Sequence, residues 1–410
     1  MCSWTATTVI EYYNRNGSNV YGCAMDLSKA FDLVEWVNLF KLLIVKGVSP
    51  IYLRVILYIY KNQAFEVKWN SITSYRFSVS NGVRQGAVSS PLLFSIYIDG
   101  VIKLLRKSGL GCRINAQYYG VLGYADDLLL LSASRSGLQA MVSICESFAH
   151  SRKLKFSTNE DPHKSKTKCI VFCKTKIREN ITPIILNNNP LPWVDEVKHL
   201  GNILQSDNSM SKDCTVKRGQ FIGKVNSLMQ EFHFVDSSTM MKLLNIYVTS
   251  FYGSCLWNLH SKEVVKLLSS WNVTVRNIFN LPRNTHRYLI ETVSNTQHPK
   301  TMLCSRYVKF IDSLIKSKKR CVRNLSLLVK NDRRTMVGKN LSNIAYDCGV
   351  RREFLQCSDA KQMRYWSIPA QERWRSSLLL ELLEVRSQRS EVMSFDREEI
   401  EAMITHICSC

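Results

Sequence analysis

Tyr124-Ala125-Asp126-Asp127 sets two adjacent carboxylates between apolar runs, Gly120-Val121-Leu122-Gly123 before and Leu128-Leu129-Leu130-Leu131 after. Two such charges left buried and unpaired would be very costly. A tight turn joining two short strands removes the conflict: the apolar arms enter a core and the acids stand at the tip. Asp26 closes a second apolar run, residues 20–27. If the two elements are neighbours in one sheet, three carboxylates converge. Such an oxygen-only donor set suits a pair of hard divalent cations and phosphoryl or nucleotidyl transfer. Taken singly, Asp26 reads equally well as a surface cap and Asp126-Asp127 as an ordinary turn.

The surrounding elements must position these acids. Residues 20–27 read as a buried strand. Ser28 is the expected cap of a helix carrying Phe31, Val34, Val37, Phe40 and Leu43 at helical spacing, with Gly47 ending it. Ser49-Pro50 opens a second helix. Phe65, Val67 and Trp69 alternate, as do Tyr75, Phe77 and Val79, which predicts a hairpin turning near Asn70-Ser71. A polar loop, residues 81–89, leads to a helix opened by Ser90-Pro91 and closed at Gly109. After the Asp-Asp hairpin come a helix over 138–150, a strand over 169–172 and a hairpin-like stretch over 184–204. Beyond Ser211 the pattern is helical, with apolar faces over 240–256, 264–279 and 302–315. Strands and helices alternate in the first half and helices fill the second, which predicts an α+β domain followed by helical ones.

Composition narrows the partners. The 410 residues are 45% apolar and 21% charged, an ordinary globular balance, but carry a formal charge of +22. That excess points to a polyanion, nucleic acid foremost. Arg306, Lys316, Lys318, Lys319, Arg320, Arg323, Lys330, Arg333, Arg334 and Lys339 crowd residues 306–339, either as a phosphate-tracking surface or as a solvated helix face, with Tyr307 alone too little for base stacking. From 372 to 401 acids become frequent. Fourteen cysteines show no zinc-knuckle spacing and read as reduced thiols. No secretory signal or membrane span is legible; residues 51–60 are too short and carry Arg54.

A third segment, Asn81-Gly82-Val83-Arg84-Gln85-Gly86-Ala87-Val88-Ser89-Ser90-Pro91, lies between the two acidic ones. With it the chain resembles reverse transcriptases. Asp26-Leu27-Ser28-Lys29-Ala30-Phe31-Asp32 resembles their first palm motif, Arg84-Gln85-Gly86 with Ser90-Pro91 the second, and Tyr124-Ala125-Asp126-Asp127 the third, in the family's order and at fitting separations. His163-Lys164-Ser165-Lys166-Thr167-Lys168-Cys169 resembles the fourth. His199-Leu200-Gly201-Asn202 resembles the primer grip of non-LTR retrotransposons. Lys217-Arg218-Gly219-Gln220-Phe221-Ile222 and Tyr252-Gly253-Ser254-Cys255-Leu256-Trp257 resemble the thumb of jockey-like and chicken-repeat-like LINE elements.

The resemblance implies an α+β right-hand polymerase palm with partial fingers, followed by a helical thumb and a helical C-terminal region: a finger remnant over 1–20, palm over 21–205, thumb over 206–330 and the last region over 331–410. It implies RNA-directed DNA synthesis with two Mg2+ ions (Mn2+ as a substitute), an RNA template, a DNA primer or target, and deoxynucleoside triphosphates. Asp26, Asp126 and Asp127 would be the catalytic carboxylates and, with the backbone carbonyl of Leu27, the metal ligands. Phe31 falls at the steric-gate position, where a ring would collide with a ribose 2′-OH; it also reads as a core residue. Gln85 and Arg84 would contact the incoming nucleotide, with Gly86 permitting close approach; a hydrogen-bonded loop is the plainer reading. Lys164 and Lys166 would lie near the pyrophosphate or simply be solvated. His199, Leu200 and Gly201 would hold the primer, although His199 also reads as a surface histidine. An intracellular ribonucleoprotein, in nucleus or cytoplasm and away from membranes, follows.

The chain departs from the family in one respect. Only about twenty residues precede the first palm motif, so the nucleotide-clamping fingers are expected to be truncated, and no endonuclease or RNase H segment is legible. The competing expectation is a truncated or co-opted fragment that binds RNA without copying it.

Overall fold

The computed structural model describes residues 1–356 apart from 162–163, 174–180 and 286. The chain divides into two compact units, Met1–Asn208 and Ser209–Cys410.

The first unit opens with helix α1 (Cys2–Arg15), followed by strand β1 (Val20–Met25), α2 (Trp36–Val45) and α3 (Pro50–Lys61). A long hairpin comes next, with β2 (Ala64–Phe65) paired to β5 (Phe77–Ser78) and β3 (Lys68–Trp69) to β4 (Ile72–Thr73). Helix α4 (Ser90–Lys107) leads through a small hairpin, β6 (Arg113–Ile114) and β7 (Gln117–Tyr118), to β8 (Val121–Tyr124) and β9 (Asp127–Ser132). Helix α5 (Arg135–Ser151) and β10 (Lys168–Phe172) complete the central layer. Two hairpins close the unit: β11 (Ile184–Leu186) with β12 (Asn189–Leu191), and β13 (Glu196–His199) with β14 (Asn202–Gln205).

The central sheet has the order β10-β1-β9-β8, all neighbours antiparallel. The unbroken Leu128–Leu131 run is explained by burial on both faces. Leu128 and Leu130 join Cys23, Met25, Phe94, Tyr97, Leu138 and Met141 in one core. Leu129 and Leu131, pointing the other way, are equally buried. Helix α1 packs on β1 and β8 and buries Trp4, Ala6, Val9 and Ile10. Two of its threonines bond locally, the Thr5 hydroxyl donating to the Met1 carbonyl at 3.1 Å and the Thr7 hydroxyl to the Trp4 carbonyl at 3.0 Å.

One element starts later than the sequence implies. Ser28 caps no helix: residues 28–33 form turns and α2 begins at Trp36, with Glu35 at its cap. The backbone groups that a helix over 28–34 would need are used elsewhere. The Ser28 N–H donates to the Lys155 carbonyl (2.9 Å), the Phe31 carbonyl accepts from the Val83 N–H (2.8 Å), and the Val34 carbonyl accepts from the Gly82 N–H (2.8 Å).

In the second unit, α6 (Ser211–Glu231), α7 (Ser237–Tyr247), α8 (Lys262–Ile278), α9 (Arg287–Ser294), α10 (Pro299–Ile315), α11 (Arg320–Asn331) and α12 (Met336–Asp347) follow in order. A buried polar chain fastens them. The Trp257 Nε1–H donates to Asp213 Oδ2 at 2.8 Å. Asn340 Nδ2 donates to the Trp257 carbonyl at 2.9 Å, while Asn340 Oδ1 accepts from the Leu259 N–H at 3.1 Å. Tyr307 is buried and so presents no ring for stacking. Arg306, at the head of the basic run, donates to the Thr249 and Ser250 carbonyls. The acidic stretch 372–401 and Cys357, Cys408 and Cys410 lie outside the described residues, as does His163. Among the described residues every cysteine is free, and no helix is long and apolar enough to cross a membrane.

Candidate active site

Strand register brings the three acids together. Met25 is opposite Leu128 in the β1–β9 pair, so the next residues along, Asp26 and Asp127, follow at the same end of the ladder. Tyr124 pairs with Asp127, leaving Ala125 and Asp126 as the two-residue turn, with Ala125 at φ 53°. Partial burial, then Asp126, then Asp26 hold the Asp127 carboxyl above the usual carboxylate range. Asp26 is thus close enough for its charge to be felt at Asp127. Among the described residues no three His, Cys, Asp or Glu side chains already stand close enough to cage an ion. The three acids are neighbours at one end of the β1–β9 ladder. Their mutual repulsion and oxygen-only chemistry fit a divalent cation, which would relieve both.

Asp26 is held through its backbone from two sides. Its N–H donates to Thr167 Oγ1 at 3.2 Å and its carbonyl accepts from the Ser157 N–H at 2.7 Å. Leu27 forms a bridge with Phe156, and the ladder bonds around it use the Asp26 carbonyl and the Ser28 N–H, leaving the Leu27 carbonyl out. Thr167 is fully buried, and Ser165 Oγ donates to its carbonyl at 2.9 Å. Thr167 was visible in the sequence only as a small polar residue among lysines; nothing local marked it as the partner of Asp26.

The segment after Asp26 and the Asn81–Gln85 loop are clasped together. Besides the two backbone bonds from Gly82 and Val83, the Trp36 Nε1–H donates to the Gly82 carbonyl (2.7 Å) and Gln85 Nε2 donates to Asp32 Oδ1 (3.3 Å). Gly82 has φ +88°, and a Cβ there would lie 3.0 Å from the Asp32 carbonyl oxygen and 3.2 Å from that of Phe31. The half-buried Phe31 ring stacks on the fully buried Phe94 ring, centroids 4.8 Å apart. Arg84 is exposed; its guanidinium stands 5.8 Å from the centre of the Phe65 ring and its carbonyl accepts from the Ser90 hydroxyl. Gly86, at φ +83°, has open space where a side chain would be.

The remaining expected residues divide. Lys164 and Lys166 are exposed, and the Lys164 ammonium pairs with Asp161 at 3.7 Å rather than with any of the three carboxylates. His199 is no surface histidine. It is 3% exposed, its Nδ1 lies 3.0 Å from Ser3 Oγ of α1, and burial pushes its pKa down to about 4. His199 and Asn202 are paired across a two-residue turn in which Leu200 (φ 48°) and Gly201 (φ 75°) are both left-handed. A leucine in that conformation is strained.

The family model described as reverse transcriptase (RNA-dependent DNA polymerase) matches residues 2–204. The Pol polyprotein of the type-1 retrotransposable element R2 of Nasonia vitripennis is 31% identical over 193 residues, covering 46% of this chain and 18% of that protein. The Pol polyprotein of the type-2 element R2DM of Drosophila melanogaster is 26% identical over 144 residues, 34% of this chain and 14% of that protein. A probable RNA-directed DNA polymerase from transposon X-element, also of Drosophila melanogaster, is 25% identical over 258 residues, 60% and 26%. The chain thus matches about a quarter or less of the length of these relatives. Through residues 2–204 the chain belongs to the reverse transcriptase family, and its relatives are the reverse transcriptases of non-LTR retrotransposons.

Proposed function

We propose that this chain extends a DNA 3′-OH with deoxynucleotides along an RNA template. The observation that carries the reading is the meeting of Asp26 with the Asp126-Asp127 turn at one end of the β1–β9 ladder. Asp26 and Asp126, with Asp127 as third carboxylate and the Leu27 carbonyl beside them, would hold two Mg2+ ions. When bound, those ions supply activation of the primer hydroxyl and charge stabilisation at the leaving pyrophosphate. The protein's own part is positional. Thr167 and Ser157 fix the backbone that carries Asp26. Asp32 orients Gln85 toward the incoming nucleotide, and the Phe94-stacked Phe31 ring stands where a 2′-OH would clash. The Leu200-Gly201 turn, anchored through His199 to Ser3, supports the primer strand. Exposed Lys164 and Lys166 sit beyond Asp26's anchor and meet phosphate there. The test is primer extension on an RNA template with Mg2+. Wild-type chain extends the primer; Asp126→Ala lowers the rate by at least about a thousandfold, as expected when a ligand of catalytic ions is lost. Equal extension by both proteins, or none by wild type, would overturn the reading.

A further inference from the structure

The long hairpin between α3 and α4 carries an unusual surface. Its first strand spaces Phe65, Val67 and Trp69 at every second residue, and their cross-strand partners include Phe77 opposite Phe65 and Ile72 opposite Trp69. Two residues, 66–67, oppose three, 74–76, so a bulge between the ladders keeps these side chains along one face. Phe65 and Phe77 stack with centroids 6.4 Å apart. Further out Trp69 is 76% exposed and Ile72 74%. A soluble surface keeps such a row only where something covers it.

At its inner end the row opens into a groove of about 600 Å3, lined by Phe65, Phe77, Gln63, Asn81, Arg84 and Gln85 among others. The groove therefore shares residues with the loop clasped to the segment after Asp26. Its make-up, flat apolar rings with amide edges, matches a nucleobase better than an aliphatic chain. Charge supplies the second half of the fit. Over residues 50–84 there are five cations, Arg54, Lys61, Lys68, Arg76 and Arg84, all exposed, against one carboxylate, Glu66, which is paired with Arg76 at 3.5 Å.

We propose that the face of this hairpin, from the Phe65–Phe77 groove out to Trp69, is a stacking platform for unpaired bases of single-stranded RNA, whose phosphates run along the Arg54, Lys61 and Arg84 side chains. The identity of the strand as template rests on the copying reading above; the platform itself does not. Stacking on an exposed ring tolerates any base, so the platform holds RNA without reading its sequence. The Asp32 carboxylate, which lines the groove, disfavours phosphate there.

The full chain is titrated with a fluorescent oligouridine of about 15 nucleotides, within the span of known single-strand sites, and with a blunt RNA–DNA duplex. Trp69→Ala weakens oligouridine binding about tenfold, the loss of one stacked base, and leaves duplex affinity within twofold. Trp69→Phe restores most of the loss. Asp126→Ala binds oligouridine as wild type does, so a failure of primer extension and a failure of the platform read out separately. Unchanged oligouridine affinity in Trp69→Ala overturns the proposal. So does an equal loss on duplex, or a change in oligomeric state by sedimentation at constant RNA affinity, which would assign the face to a protein partner.

Discussion

On the proposed reading Phe31 does two jobs with one ring. Its stacking on Phe94 removes rotational freedom, and a fixed ring discriminates by clash more sharply than a mobile one. Phe31→Val is expected to raise ribonucleotide use relative to deoxynucleotide use by about 10–100-fold, the range a lost steric contact can supply, measured as the ratio of kcat/KM values. It also weakens the core by about 1–2 kcal/mol through the lost aromatic pair. A lower melting temperature with an unchanged ratio would leave Phe31 a packing residue alone. Thr167 poses the opposite case, a buried hydroxyl that touches no substrate. Thr167→Val keeps the shape and removes the acceptor of the Asp26 N–H. Leaving that donor unsatisfied costs about 1–3 kcal/mol. Extension is expected to slow in kcat with KM for nucleotide little changed, while Thr167→Ser restores the rate.

The clasp between the post-Asp26 segment and the Asn81–Gln85 loop is where two elements become one site. Gly82 makes it possible, because only a residue without Cβ fits at φ +88° against the Asp32 backbone. Gly82→Ala is expected to destabilise the first unit by at least roughly 1–2 kcal/mol from the left-handed conformation alone, read as a shifted denaturation midpoint. It also raises KM for nucleotide, since Gln85 loses its place beside Asp32; an unchanged midpoint and KM would show that the clasp is slack. The same contact explains what the sequence made legible and what it hid. The β1 strand, the Asp126 turn and the Leu128–Leu131 strand were readable because strands buried on both faces appear as unbroken apolar runs. The hairpin over 64–78 was readable from alternation, and Pro50 and Pro91 marked helix starts. The late start of α2 was not, because the carbonyls of Phe31 and Val34 are taken by residues some fifty positions away. His199 was hidden for the same reason: its partner Ser3 is 196 residues distant, and nothing near it in sequence shows burial. Local patterns reveal periodicity; they do not name long-range partners.

At the scale of the molecule the quantity to account for is a charge of +22. Some cations of the basic run over 306–339 already have partners within the protein. Arg306 is spent on two carbonyls, Lys316 pairs with Asp312 at 2.8 Å, and Arg334 with Asp332 at 3.2 Å. Among the cations that remain, Lys318, Lys319, Arg320 and Arg323 form an exposed group where α10 gives way to α11. The buried face of α11, Val322, Leu325 and Val329, anchors that helix, so its cations are solvated by construction rather than by chance. If these four contact phosphate, each releases condensed counterions on binding. For single strands the logarithm of affinity then falls with the logarithm of salt by about 0.7 per contact. Changing all four to glutamine is therefore expected to reduce the salt slope for single-stranded RNA by about 3, while barely moving the denaturation midpoint. Affinity at low salt falls most, and the two proteins converge as salt rises. A slope unchanged within error would show that the run is only a solvated helix face and that the polyanion is held by other cations of the chain.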